Sequence, residues 1–229
     1  MRVPELIDLL GQLKRQYGAP AFPPAKGPFE LIVWENACYL MPDTRRAEVF
    51  EALKQQVGLT ALQILAAGNS TLLPLAVRGG MRPETRVFRW REIARITLEQ
   101  FHGDLDAVLK KPYKDAKKAL KQYPNIADPQ AEKILMYCGM AEGLPLESNG
   151  LRVLTRYGFG REQKSYGSTY KSVQEAIQEQ LPRGAKALAQ AHLLLRQHGQ
   201  TLCKRAAPDC ESCPAATDCP TSKVSRSIR

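Results

Sequence analysis

The C-terminal stretch reads Cys203-KRAAPD-Cys210-ES-Cys213-PAATD-Cys219, with six, two and five residues between successive cysteines. Four thiolates in so short a segment can surround one metal centre, and without one their like charges and oxidisable sulfurs are a liability. Zinc accepts four cysteines in a closed tetrahedron, but zinc ribbons offer two close pairs, whereas here one pair is close and two cysteines stand alone. A cube with a separate iron at each corner tolerates uneven spacing, because each thiolate ligates its own iron. Spacing leaves both readings open. The remaining cysteines, Cys38 and Cys138, fall in apolar segments, as small core thiols do. Glu35 is a second residue of chemical interest, because it interrupts the apolar run Phe29-Glu30-Leu31-Ile32-Val33-Trp34-Glu35-Asn36. Burying a lone carboxylate is costly, so Glu35 must reach a cavity or carry a raised pKa.

The elements that would position these residues read as helices. Apolar residues three and four apart recur over Val3 to Tyr17, Ala47 to Val57, Ile93 to Phe101, Ala131 to Cys138, Val173 to Gln180 and Ala185 to Arg196. Strand-like alternation is scarce, which predicts an all-α fold. Ala19 to Pro28, with four prolines, and Gly79-Gly80-Met81-Arg82-Pro83 read as loops. Phe29 to Leu40 runs on without a breaker, as a largely buried helix would, although FELIVW alone fits a strand equally well. Asp128-Pro129 reads as an N-cap followed by proline at the first helical position, opening a helix over Gln130 to Cys138. Lys223 to Arg229 reads as a frayed tail, and no internal repeat is present.

The 229 residues carry 33 Lys and Arg against 23 Asp and Glu, a net charge of +10 that suits a polyanionic partner, nucleic acid above all. The N-terminal MRVPELIDLLGQLKRQYG mixes acids with its apolar residues and does not read as a signal peptide. No apolar run reaches the roughly 18 residues of a membrane span. The expectation is a cytoplasmic protein, nucleoid-associated in a bacterium, with reduced cysteines and no membrane partner.

The cysteine spacing, near the C-terminus of a basic helical chain of this length, resembles the cluster loop of the endonuclease III family of helix-hairpin-helix DNA glycosylases. The resemblance extends over nearly the whole chain, through Pro28-Phe29-Glu30-Leu31-Ile32, Gly80-Met81 and Asn149 to Arg152. It implies a 4Fe-4S cluster on Cys203, Cys210, Cys213 and Cys219, with Lys204 and Arg205 of the cluster loop gripping DNA phosphates. It also implies two domains, a six-helix-type domain over 21–140 and a cluster domain joining 1–20 to 141–223, with 224–229 a disordered tail. The family's phosphate-binding hairpin maps onto Tyr123-Pro124-Asn125-Ile126-Ala127-Asp128. Asn125 and Ala127 hold the two glycine positions, and since alanine tolerates a left-handed backbone poorly, the turn is expected to be distorted or differently satisfied. The amides of Asn125, Ala127 and Asp128 would still face a phosphate.

Pro129 falls where bifunctional members place the Schiff-base lysine, and proline has no amine to attack the sugar. Lys133, one turn further along, is a poor substitute. Glu147 falls where the family carries its catalytic aspartate, five residues before Arg152, and a carboxylate there would stabilise an oxocarbenium-like transition state. Asn149 would contact the flipped nucleotide, and Glu35 matches the acid with which mismatch adenine glycosylases protonate the departing base. Met81, with Tyr39 and Leu40, would wedge into the duplex as a base is extruded.

The resemblance thus implies a monofunctional, monomeric N-glycosylase acting on a damaged or mismatched base in double-stranded DNA, with the nucleotide entering near Glu35, Pro129 and Glu147. Three alternatives remain at this stage. Glu147 could be a plain helix cap on a DNA-binding protein that has lost catalysis. A different amine could support lyase chemistry, or the cluster could serve as a redox sensor.

Overall fold

The structure, a computed structural model, describes residues 5–222. The tail expected from residue 224 lies outside them. Every regular element among the described residues is helical: α1 (Leu6–Tyr17), α2 (Gly27–Glu35), α3 (Asp43–Gln56), α4 (Ala61–Ala66), α5 (Asn69–Arg78), α6 (Pro83–Phe101), α7 (Tyr113–Leu120), α8 (Asp128–Tyr137), α9 (Ser148–Tyr157), α10 (Tyr166–Ile177) and α11 (Ala185–Thr201). Short 3-10 turns occupy Asp106–Lys110 and Gln178–Gln180. The chain divides into two compact units, one running from Pro23 to Met140 and the other formed by the chain up to Phe22 together with everything from Ala141 onward.

The 23–140 unit, which carries the hairpin, packs α2 to α8 around Ile32, Phe50, Leu53, Ile64, Leu72, Trp90, Ile93, Leu120 and Ile134, all without meaningful exposure. Each such side chain contributes about 1.5–3 kcal/mol by leaving water. Helix α2 is shorter than the apolar run predicts. It stops at Glu35 because the Asn36 side chain intervenes, its Nδ2 donating to Ile32 O at 3.0 Å and to Pro124 O at 3.1 Å. Leu40 then takes a left-handed backbone (φ 54°), and Pro42 leads into α3. Cys38 is buried in this core, and Cys138 packs half-buried against it.

The predicted start of α8 moves by one residue. Ala127 is the N-cap and Asp128 the first helical residue. Gln130 Oε1 accepts from Ala127 N at 3.2 Å, while the Asp128 carboxylate turns outward to Lys121 and Lys117 instead of capping.

The other unit, which carries the four cysteines, buries Leu6, Leu9 and Leu13 of α1, Leu151 and Leu154 of α9, and Leu188 and Leu195 of α11. Helices α9 and α11 approach so closely at Gly199 that a Cβ there would lie 2.7 Å from Asn149 Cβ and 2.8 Å from Asn149 O. That contact sets where the first turn of α9 stands.

Candidate functional site

In the hairpin unit, Asn125 is left-handed (φ 61°), as its place in the turn requires, but Ala127 is extended (φ −100°, ψ −174°). The strain expected at Ala127 is therefore absent, because only one position of the turn needs the left-handed region. Asn125, Ala127 and Asp128 are all exposed. Asn36 holds the turn from beneath through the Pro124 carbonyl, and its own Oδ1 is buried without a partner. Lys121 at 2.8 Å, then Lys117 at 3.1 Å, draw the Asp128 carboxyl below its usual range.

The expected wedge residues stand out from the surface. Leu40 is 78% exposed, Met81 61% and Tyr39 51%. Their two loops are joined: Tyr39 N donates to Gly79 O at 3.1 Å, and a Cβ on Gly79 would fall 2.4 Å from Ala37 O. Beneath them Arg86, only 5% exposed, donates to Ala76 O at 2.6 Å, Gly80 O at 3.3 Å and Met81 O at 3.2 Å. A buried guanidinium is tolerable when carbonyl dipoles receive its protons. Here the carbonyls belong to the last turn of α5 and to the loop that presents Met81. Tyr39, Leu40, Met81, Arg82, Arg86, Arg89, Asn36 and Asn125 together line a cavity of about 460 Å³. Arg86 escaped the sequence reading, although it lies on the stripe Arg86, Trp90, Ile93, Thr97 that α6 buries. A charge on an apolar stripe was the available signal.

Glu35 is not a lone carboxylate. Its Oε2 accepts from Lys133 Nζ at 2.8 Å, and both side chains are largely buried. Tyr137, one turn beyond Lys133 on α8, has its hydroxyl pKa raised, first by burial and then by the charge of Glu35. The carboxylate's burial cost is thus met by a cation 98 residues away in sequence.

In the cysteine-bearing unit, Glu147 is the N-cap of α9. Its Oε1 accepts from Gly150 N at 2.9 Å and its Oε2 from Asn149 Nδ2 at 2.7 Å. The capping alternative raised by the sequence therefore describes the local geometry, and it leaves the carboxylate immobilised at a helix N-terminus. Asn149 is held in turn, its Oδ1 accepting from Arg152 Nη2 at 2.8 Å. Arg152 also donates to Gly199 O at 2.8 Å and, through Nε, to Cys203 O at 2.9 Å. An unbroken hydrogen-bond chain runs from Glu147 through Asn149 and Arg152 to the backbone of the first cysteine.

Cys203, Cys210, Cys213 and Cys219 all line one cavity of about 220 Å³, together with Arg156 and His198. Arg156 Nη1 lies 3.5 Å from Cys203 Sγ, and its guanidinium also donates to the carbonyls of Lys204 at 2.7 Å and Arg205 at 3.0 Å. The side chains of Lys204 and Arg205 are exposed. Burial pushes the Cys213 thiol up to about 11, and burial pulls the His198 imidazole down to about 4. Among the described residues no three His, Cys, Asp or Glu side chains converge as the ligands of one ion. The donor set, four thiols lining one cavity with an arginine beside them, is of a kind that can hold an iron–sulfur cluster. Sequence reasoning missed Arg156 and His198. The latter continues the α11 stripe Leu188, Ala191, Leu195, His198 that packs inward.

These two helical units make up the fold of the helix-hairpin-helix DNA glycosylases. In particular, the structure is similar to a non-covalent endonuclease III–DNA complex, with a TM-score of 0.75 and 17% identity over 99% of this chain and 100% of that one. It is similar as well to a trapped endonuclease III–DNA covalent intermediate in an estranged-adenine complex, with a TM-score of 0.74 and 17% identity over 98% and 97%. A thermostable thymine-DNA glycosylase matches with a TM-score of 0.73 and 16% identity over 96% and 95%. At such identities the likeness defines the fold. No protein-family model and no curated protein matches the sequence. No helix among the described residues is long and apolar enough to cross a membrane.

Proposed function

We propose that this protein is a DNA N-glycosylase of base excision repair that releases a damaged or mismatched base by hydrolysis and leaves the strand intact. The observation that carries this reading is the fixed carboxylate of Glu147. Within a glycosylase fold, it is held by Gly150 N, Asn149 and, through Asn149, Arg152. A carboxylate immobilised in this way needs no reorganisation as positive charge develops at the sugar C1′.

In the reaction the glycosidic C–N bond breaks and its electron pair leaves with the base, which takes a proton from the Glu35–Lys133 pair. Water forms the new C1′–O bond and gives its proton to Glu147. Pro129 supplies no amine, so no covalent sugar–enzyme bond is required. The partner is double-stranded DNA bound by a monomer. Asn125, Ala127 and Asp128 offer amides to a phosphate, and Lys204 and Arg205 offer cations. Tyr39, Leu40 and Met81 fill the space of the extruded nucleotide. The cysteines hold a 4Fe-4S cluster that orders the loop bearing Lys204 and Arg205, and when bound it supplies a rigid ligand frame.

Incubation with oligonucleotides carrying uracil, oxidised, alkylated or mismatched bases tests the reading. The expected result is an abasic product cut only after alkali and not trapped by borohydride. Spontaneous scission with a trapped covalent complex would show that an amine acts. A second reading, a DNA-binding protein without catalysis, draws on the pairing of Glu35 with Lys133, which occupies the candidate acid. It expects salt-dependent duplex binding and no base release from any substrate.

A further inference from the structure

The cysteine cavity has a polar neighbour that neither Glu147 nor the DNA-gripping loop uses. His198 of α11, 3% exposed, points its Nε2 at Cys213 Sγ, 3.6 Å away. Its other nitrogen, Nδ1, lies 2.9 Å from the hydroxyl of Tyr17 on α1. That hydroxyl is 3.0 Å from Thr201 Oγ1, so four side chains from two helices and the cysteine loop form one file.

The file has a direction. A metal-ligating Cys213 is a thiolate with lone pairs and no proton, and a bare Nε2 facing it would set two lone pairs against each other. Nε2 must therefore carry the proton, which leaves Nδ1 as the acceptor. Tyr17 is placed to donate its O–H to that nitrogen. The tautomer of a histidine is set by the partner of its far nitrogen, and hydrogen bonds to ligating sulfurs move the reduction potential of iron–sulfur centres.

We propose that Tyr17 and His198 form a hydrogen-bond relay to Cys213 that holds the reduction potential of the iron–sulfur centre above the value four unassisted thiolates would give. The inference rests on the reading of the cysteines as an iron–sulfur site. Tyr17 and His198 are positioning residues in this arrangement, since they act through the sulfur. The N–H···S bond stabilises negative charge on sulfur, so it favours the reduced, more negative state of the centre.

The test compares anaerobically purified wild type with His198→Leu, His198→Gln and Tyr17→Phe. Iron and sulfide content is measured first, then the midpoint potential by redox titration and the tautomer of ¹⁵N-labelled His198 by NMR. His198→Leu should lower the potential, and Tyr17→Phe should lower it less. His198→Gln, whose amide can still donate to sulfur, should recover part of the loss. The wild-type imidazole should be protonated at Nε2. If His198→Leu does not retain iron, Tyr17→Phe carries the comparison alone, because it deletes one oxygen at a half-buried site. Iron-loaded variants with the wild-type potential would overturn the relay and leave the cluster standing. Wild-type protein that binds no iron or sulfide would overturn the cluster, and the relay with it.

Discussion

The two units hold their functional groups by different means. In the hairpin unit the exposed residues sit on main chain that is pinned or strained: Leu40, Arg82 and Asn125 are left-handed, and Arg86 grips three carbonyls beneath Met81. In the cysteine-bearing unit the important carboxylate is held by side chains in series, Glu147 to Asn149 to Arg152 to the Cys203 carbonyl. A pinned main chain fails all at once, because removing the pin takes a donor from three carbonyls together. A series of side chains fails by degrees, each link changing the aim of the next.

The largest effect on stability should therefore come from Arg86→Met. It leaves the carbonyls of Ala76, Gly80 and Met81 without their buried donor and should cost about 2–3 kcal/mol, read as a lower urea midpoint. An unchanged midpoint would break the contrast between the units.

Next comes Gly199→Ala, whose Cβ would press on the Asn149 backbone at 2.8 Å. It should destabilise by about 1–3 kcal/mol and slow base release as Asn149 shifts under Glu147. Gly150→Ala is the control, since its Cβ meets nothing closer than 3.5 Å, and it should melt at or above the wild-type temperature.

Asp128→Asn should have the smallest effect. Lys121 and Lys117 depress the folded-state pKa of Asp128, so its contribution is present above the unfolded carboxyl value of about 3.9 and is lost as pH falls through the folded value. The pair is half exposed, so the difference should be on the order of a few tenths of a kcal/mol near neutral pH and vanish in strong acid. Urea midpoints measured across that range would show it.

How much was legible in the sequence differs between the units in the same way. The Glu147 cap and the all-α pattern are local signals, and each survives in the structure; the cysteine spacing is local too, and the four thiols line one cavity. What was lost depended on distance. The end of α2 at Glu35 could not be read from the apolar run, because the hydrogen bond from Asn36 to Pro124 spans 88 residues. The partner of Glu35 could not be read either, since Lys133 is one of many cations and only packing selects it. Ala127 misled because the two-glycine pattern suggests two left-handed residues where this turn uses one. Arg86 and His198 were legible in principle, as polar members of buried stripes on α6 and α11, but a stripe does not show what a polar member touches.

The central claim is that Glu147 acts in base release and is not merely a cap. Glu147→Gln tests it most directly, because the amide oxygen can still accept from Gly150 N while the charge and the bond from Asn149 Nδ2 are lost. Folding and duplex affinity should match wild type, and single-turnover base release from the preferred substrate should fall by at least about 100-fold. Release at the wild-type rate by a folded, DNA-binding Glu147→Gln protein would contradict the account.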